Sequence, residues 1–112
     1  MKPINLNRRM TLERPVRVPD GAGGYTESWT ELGVLWVDLR ARSGRATSGE
    51  ETSLSRTGFR ILVRAAPFGS PSRPSPEQRF RDGARVFRIR SVAEYDQSGR
   101  HLVCLADEEV VA

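Results

Sequence analysis

The sequence predicts an all-β fold, a small β-barrel of five or six short strands with a long polar loop inserted between two of them. Apolar and polar residues alternate with a period of two in several runs, most clearly over residues 59–65. Clusters of Gly, Pro, Asp and Ser separate these runs, and no run has sustained helical periodicity. Such strands suggest a small sandwich or barrel, and closure into a barrel would protect the exposed strand edges.

The N-terminal part of the chain predicts a β-hairpin. Residues 7–16 alternate, with Met10, Leu12 and Val16 on one face and Thr11 and Glu13 on the other, as expected for a half-buried strand. Residues 19–24 form a turn cluster that contains several glycines, and the β-rich run at 25–30 resumes the alternation. The two strands should therefore pair around this turn.

The middle of the chain predicts two more strands and the long loop. Gly33 is interpreted as a break before a third strand at residues 34–40. Residues 42–58 form a polar loop rich in small residues, and a loop of this length in a small domain is usually functional or disordered. Part of residues 49–56 could form a short helix when a partner packs against it. The cleanest predicted strand, at residues 59–65, follows the loop.

The last third of the chain predicts a proline-rich connection and a terminal hairpin. Residues 67–78 contain four prolines, so we expect an extended connection with a mobile tip, rather than a helix or a central strand. The runs at 84–92 and 101–106 flank a turn at residues 96–99. They should pair as adjacent antiparallel strands.

The bulk composition fits one domain over residues 1–112. No apolar run approaches the length of a membrane span and no signal segment follows the N-terminus, so we expect a soluble, cytoplasmic product without membrane partners. Cys104 is the single cysteine, which excludes an internal disulfide and a thiolate metal cluster within one chain. Its apolar neighbours predict that it fills the core.

The sequence offers no catalytic, metal or cofactor site. His101 is the only histidine and lies in a predicted strand without a nucleophile motif, so it is interpreted as an ordinary strand residue. Glu50 and Glu51 are adjacent on a polar loop, where a solvated acidic patch is expected rather than a catalytic pair. The glycine cluster at 21–24 lacks the residues of a phosphate-binding loop. We therefore predict a protein that is not an enzyme.

Charge and aromatic residues leave a nucleic-acid-binding alternative open. The formal net charge is +4, and of the 18 basic residues only Lys2 is a lysine. Arginines could neutralise phosphates, contact other protein subunits, or reflect a coding bias, and 14 acidic residues are interspersed among them. Aromatic side chains could stack on bases in a single-strand-binding barrel, although alternation favours core packing for most of them. The candidates for stacking are Tyr25, Trp29, Trp36, Phe59, Phe87 and Tyr95.

The order of the segments carries a family resemblance over almost the whole chain. An arginine-containing strand at 9–15 precedes Gly-Gly-Tyr-Thr-Glu-Ser-Trp-Thr at 23–30 and a Trp-bearing strand at 34–39. A strand at 59–64 and the closing pair at 85–89 and 99–102 complete the pattern. Together these segments resemble the head-tail joining or head-closure family (stopper, head completion) of tailed phages and gene transfer agents. The sequence departs from that family in its connection at residues 67–78, and in having Gly44-Arg45-Ala46 where a Gly-Arg-Glu phrase is usual.

The resemblance implies a structural connector in a virion or gene transfer agent particle, made in the bacterial host cytoplasm. It implies a homo-oligomeric ring of six or twelve copies, with portal-adaptor proteins above and the tail terminator or tail tube below. Double-stranded DNA would pass through the channel of this ring, which would retain the packaged DNA and provide the surface for tail attachment. The long loop would be directed toward the channel. The alternative is an Arg-rich nucleic-acid-binding small β-barrel that acts as a free monomer.

The candidate channel and interface residues lie in or beside the long loop, which we expect to become ordered on assembly. Its arginines would meet DNA phosphates or acidic neighbours, or would be solvated, and the sequence leaves these options open. The candidates are Arg40, Arg42, Arg45, Glu50, Glu51, Leu54 and Arg56.

Overall fold

A computed structural model describes residues 2–42 and 56–109, and within these ranges the chain is a closed β-barrel without helices. All neighbouring strands are antiparallel, in the order β1-β2-β3-β6-β5-β4, and β4 pairs back with β1. The all-β barrel prediction is confirmed. Accordingly, no helix in the described ranges could cross a membrane. The strands are β1 (Arg8–Pro19), β2 (Tyr25–Ala41), β3 (Arg56–Arg64), β4 (Arg79–Asp82), β5 (Arg85–Glu94) and β6 (His101–Glu109).

The core fills the interior of the barrel with side chains that alternate along the strands. In β3, for example, Ile61 and Val63 point inward and are fully buried. Phe59 and Phe87 meet edge to face, with ring centroids 5.3 Å apart. Cys104 is part of this core, and burial raises the pKa of its thiol to about 12, so the prediction that it fills the core is confirmed.

The prediction of a strand break at Gly33 is wrong, because β2 runs through this residue. Gly33 pairs with Leu12, whereas Glu31 pairs with Glu13, so Leu32 is an extra residue that forms a β-bulge. The φ of Gly33 is 153°, a backbone conformation that favours glycine. A glycine between two alternating runs therefore marks a bulge here rather than the end of a strand.

The connection at residues 67–78 contains no strand, as predicted, and β4 begins immediately after it. β4 was not predicted, because four residues are too few to show a periodic pattern. The terminal hairpin of β5 and β6 is confirmed.

β3 begins at Arg56, so the predicted loop at 42–58 is too long at its C-terminal side. Most of that loop, at 43–55, lies outside the described residues, as does most of the possible short helix.

The hairpin of β1 and β2 extends beyond the barrel wall. β4 pairs with β1 only over residues 11–13, and β3 pairs with β2 only over residues 37–41. Among the described residues, 14–30 therefore pair only with each other, and we call this segment the arm. The carboxylate of Asp20 closes its turn by accepting hydrogen bonds from the backbone N–H groups of residues 22 and 24, at 2.8 and 3.0 Å.

Candidate assembly surfaces

One end of the barrel, which we call the loop end, is where β2 stops at Ala41 and β3 starts at Arg56. Ion pairs lie here on the inward side of the strands. Glu108 is paired with the core residue Phe87, and Arg8 is paired with the core residue Val37, so both share the inward face. The guanidinium of Arg85 donates two hydrogen bonds to Glu108, at 2.8 and 3.0 Å. A second pair joins Arg8 to Asp82 at 3.2 Å.

Arg85 closes the core at the loop end. Its guanidinium carbon lies 5.0 Å from the ring centroid of Phe87 and 5.8 Å from that of Phe59. Hydrogen bonding from Arg85 lowers the pKa of the Glu108 carboxyl below its usual value, so this pair is charged at neutral pH. With side chains filling the interior and this pair over one end, no wide passage runs through the barrel formed by residues 2–42 and 56–109. A DNA channel would have to lie between subunits.

Arg40, a predicted interface residue, holds the N-terminal segment against β2. Its guanidinium donates to the carboxylate of Asp38 and to the carbonyl oxygen of Pro3, both at 2.9 Å. Asp38 also accepts a hydrogen bond from the backbone N–H of Asn5 at 2.9 Å. Burial would raise the pKa of Asp38, but the hydrogen bonds from Arg40 and Asn5 outweigh it and lower that pKa. Leu62, the cross-strand partner of Asp38, is fully buried on the same outer face.

The structure brings the backbones of two further candidates to the loop end. Arg42 follows β2, its N–H donates to the carbonyl of Gly58 at 2.9 Å, and its side chain is exposed. Arg56 pairs with Glu109, and its side chain lies outside the description. The candidates Arg45, Glu50, Glu51 and Leu54 lie outside the described residues. The channel and interface roles of all seven candidates therefore stay predictions.

Sequence reasoning missed a buried carboxylate on the outer surface. Glu13 is only 4% exposed, and it accepts hydrogen bonds from Arg79 at 2.7 Å and from Arg81 at 2.8 Å. Burial would raise the pKa of Glu13, but these arginines outweigh it and lower the pKa. Arg81 also reaches Glu31, at 3.1 Å, and the guanidinium of Arg79 lies 4.1 Å from the ring centroid of Trp29. The sequence did not indicate this buried carboxylate because its partners Arg79 and Arg81 belong to β4, a strand that was not predicted.

Many arginines are engaged within the subunit. Seven of the arginines in the described ranges form salt bridges with carboxylates, which reduces the positive charge available to a phosphate backbone. They are Arg8, Arg40, Arg79, Arg81, Arg85, Arg88 and Arg90. Arg60 and Arg64, on the outer face of β3, are exposed and make no salt bridge to a described residue. The same is true of Arg9, Arg14, Arg17, Arg42 and Arg100, and these exposed arginines are the ones that suit the nucleic-acid-binding alternative.

The aromatic residues divide between the core and the surface. Phe59 and Phe87 are in the core, as alternation predicted, and cannot stack on bases. Tyr25 is 62% exposed and Trp36 is 54% exposed, so core packing does not account for them. Trp29 is half-buried outside the core cluster, next to arginine side chains. Tyr95 is also half-buried outside the core cluster. The interpretation that core packing explains most of the six candidates is therefore wrong, because only two of the six belong to the core.

His101 has a structural contact at the start of β6. Its Nδ1 lies 2.9 Å from the carboxylate of Asp96, which also accepts the backbone N–H of Arg100 at 2.9 Å. The hydrogen bond to His101 lowers the pKa of Asp96 to about 2. These contacts close the turn between β5 and β6 around Gly99, whose φ is 71°. Within the described ranges, no group of His, Cys, Asp and Glu side chains could hold a metal ion.

Comparisons with known proteins agree with this architecture. A family model described as phage head completion protein matches residues 1–109. A chain in the structure of the virion of a native gene transfer agent particle is 52% identical, with a TM-score of 0.80, and the match covers 99% of this chain and 100% of that one. The solution structure of protein SF1141 from Shigella flexneri 2a is 23% identical, with a TM-score of 0.66 and 96% of each chain covered, and it shares the fold. No curated protein matches the chain in sequence.

Proposed function

The chain belongs to the phage head completion protein family, whose members are structural components of the virion, and we propose that it is the stopper, or head-closure, subunit of its particle. In this role it forms a homo-oligomeric ring between the portal-adaptor proteins and the tail. The ring retains the packaged DNA and presents the surface to which the tail attaches. The protein performs no catalysis in this role.

The observation that carries the proposal is the full-length match to a chain in a native gene transfer agent virion, at 52% identity. The barrel itself supports a ring rather than a single-subunit channel, because its interior is filled with side chains. Arg85 and Glu108 also cover the core at the loop end. Double-stranded DNA would therefore cross the connector between subunits.

The segment at residues 43–55 is the part of the chain that we propose lines or gates this channel. It leaves β2 after Arg42 and enters β3 at Arg56, so both of its ends lie at the loop end of the barrel. The charged candidates Arg45, Glu50 and Glu51 belong to this segment. The barrel then acts as the support that holds the segment in the ring.

Replacing residues 43–55 with a Gly-Ser linker of equal length tests this role. We expect the variant subunit to enter particles, because the barrel strands are unchanged, and the particles to lose DNA. Mass spectrometry of purified particles measures incorporation, and nuclease protection measures the retained DNA. The control is a particle that lacks the protein. If such particles keep their DNA and attach tails normally, the head-closure function is wrong; if only the linker variant keeps its DNA, the gating role of the segment is wrong.

A further inference from the structure

The arm at residues 14–30 exposes two strand edges. Within the described part of the chain, neither edge of the arm pairs with another strand, and its residues at 25–28 are all exposed. A two-stranded hairpin has little stability of its own in water, and free strand edges are templates for pairing with another chain. The two edges of the arm differ in the number of backbone hydrogen-bond donors that they present to another strand.

The β1 edge is poor in hydrogen-bond donors. The N–H of Asp20 donates to the carbonyl of Gly24 at 3.0 Å, which fixes which residue pairs of the hairpin exchange hydrogen bonds. Hydrogen-bonded and non-hydrogen-bonded residue pairs alternate along an antiparallel hairpin. The backbone N–H and C=O positions of Pro15, Arg17 and Pro19 therefore point away from β2. Proline has no N–H, so this edge offers one donor and three carbonyl acceptors.

The β2 edge of the arm keeps all of its backbone hydrogen-bond donors. The partners of those residues are Trp29, Glu27 and Tyr25, and their N–H and C=O groups point away from β1. This edge contains no proline, lysine or inward charge of the kind that blocks edge pairing. It therefore offers three donors and three acceptors to an incoming strand.

Charge selects which edges can meet between two copies of the chain. Two β2 edges would place the Glu27 carboxylates of both copies side by side, where like charges repel. Two β1 edges would bring together edges with one donor each. A β2 edge beside a β1 edge instead places Glu27 near Arg17, which has the opposite charge. The donors of Tyr25 and Trp29 then meet the carbonyl groups of the proline-containing edge.

We propose that each subunit adds the β2 edge of its arm to the β1 edge of the next subunit's arm. Tyr25, Glu27 and Trp29 of one copy then lie opposite Pro19, Arg17 and Pro15 of its neighbour. Because the two edges differ, the contact is head to tail, and such contacts form a ring when the rotation between neighbouring subunits closes. Arms that point the same way around a ring also bring β2 and the neighbouring β1 together antiparallel, as in the hairpin itself. The inference rests on the proposed ring and names the contact that joins its subunits.

Cross-linking in assembled particles tests this contact. Arg17→Cys and Glu27→Cys are introduced into separate copies of the chain, and particles made from the mixture are treated with a short bis-maleimide. We expect a covalent subunit dimer in the mixed particles, and none in particles that contain either variant alone. Cys104 does not interfere, because it is fully buried and its pKa is about 12. A mixture of Arg17→Cys with Glu94→Cys, an exposed position on β5, is the matched control.

A second variant tests the edge itself. Glu27→Pro removes an N–H that the hairpin does not use, so the subunit should fold while its incorporation into rings is lost. Glu27→Gln, which removes the charge but keeps the N–H, should weaken incorporation less. Far-ultraviolet circular dichroism checks folding. The arm contact is wrong, and the ring itself stands, if rings form normally with Glu27→Pro or if rings made from the mixture of Arg17→Cys and Glu27→Cys give no covalent dimer. Particles with no ring of this protein overturn the proposed function as well.

Discussion

Glu13 is the residue at which burial and charge are most closely balanced. Its carboxylate is 4% exposed and is held by Arg79 from one side and Arg81 from the other. A buried charge is tolerated only when its partners are complete, and removing one partner leaves the others unsatisfied. The side chain therefore fixes β4 to β1 from the outside, while Phe80 does so from the core.

Replacing this carboxylate should destabilise the barrel. For Glu13→Gln we expect the free energy of unfolding to fall by about 2 kcal/mol, as is typical when hydrogen bonds between charged groups are lost. The matched control is Glu31→Gln, which also loses a contact to Arg81 but lies at a side chain that is 65% exposed. Its loss should stay below about 1 kcal/mol. Urea unfolding measures both, and equal losses would contradict the role assigned to burial.

At the scale of single residues, the sequence predicted which apolar side chains are buried, but not which contacts the charged side chains make. Alternation alone placed Ile61 and Val63 inside, because a strand sends successive side chains to opposite faces. The same alternation at residues 7–16 puts Glu13 on the face opposite to Met10 and Leu12, but it could not show that the arginines of β4 would bury the Glu13 carboxylate. Likewise, Arg40 was predicted beside the loop, while its contacts depend on an N-terminal segment that folds back onto β2.

At the scale of the strands, Gly33 shows why a local sequence signal is ambiguous. A glycine between two alternating runs is typical of a strand end and also of a bulge. Only the pairing with β1, in which Leu32 is skipped, decides between them. The bulge lies where the arm joins the barrel, so it sets the direction in which the arm leaves the barrel wall.

Backbone conformation, rather than space, should make Gly33 irreplaceable. A Cβ at this position would meet no atom within 4 Å, yet the φ of 153° is one that other residues rarely adopt. We expect Gly33→Ala to lower the free energy of unfolding by about 1–3 kcal/mol. Ser28→Ala, at an exposed position of the same strand, should change it by less than about 0.5 kcal/mol. Thermal or urea unfolding compares the two, and a neutral Gly33→Ala variant would show that the bulge relaxes freely.

At the scale of the whole molecule, the sequence predicted a β-barrel but not the order in which its strands pair to close it. β3 pairs with β6, more than 35 residues away along the chain, and no local pattern encodes that contact. The same holds for the arm, which appeared in the sequence as an ordinary hairpin. Its projection beyond the barrel follows from where β3 and β4 stop pairing, at Val37 and Glu13.

The charge of the whole subunit argues against strong DNA binding by the free protein. The formal charge of +4 would suit a DNA-binding surface, but seven described arginines already pair with carboxylates. The exposed arginines that make no salt bridge to a described residue lie on β1, on β3 and beside β2 and β6 rather than in one stretch of the chain; they are Arg9, Arg14, Arg17, Arg42, Arg60, Arg64 and Arg100. We expect the isolated subunit to bind double-stranded DNA with a Kd of about 10⁻⁶ M or weaker at physiological salt.

Gel-shift titrations at two salt concentrations check this expectation, with Arg60→Gln/Arg64→Gln as the variant and Arg90→Gln, whose arginine is paired with Asp107, as the control. Residual binding should weaken further in the double variant and be nearly unchanged in the control. Because each neutralised phosphate steepens the salt dependence, the slope reports how many arginines make contact. Nanomolar binding with a steep slope by the isolated monomer would contradict the connector function and favour the nucleic-acid-binding barrel.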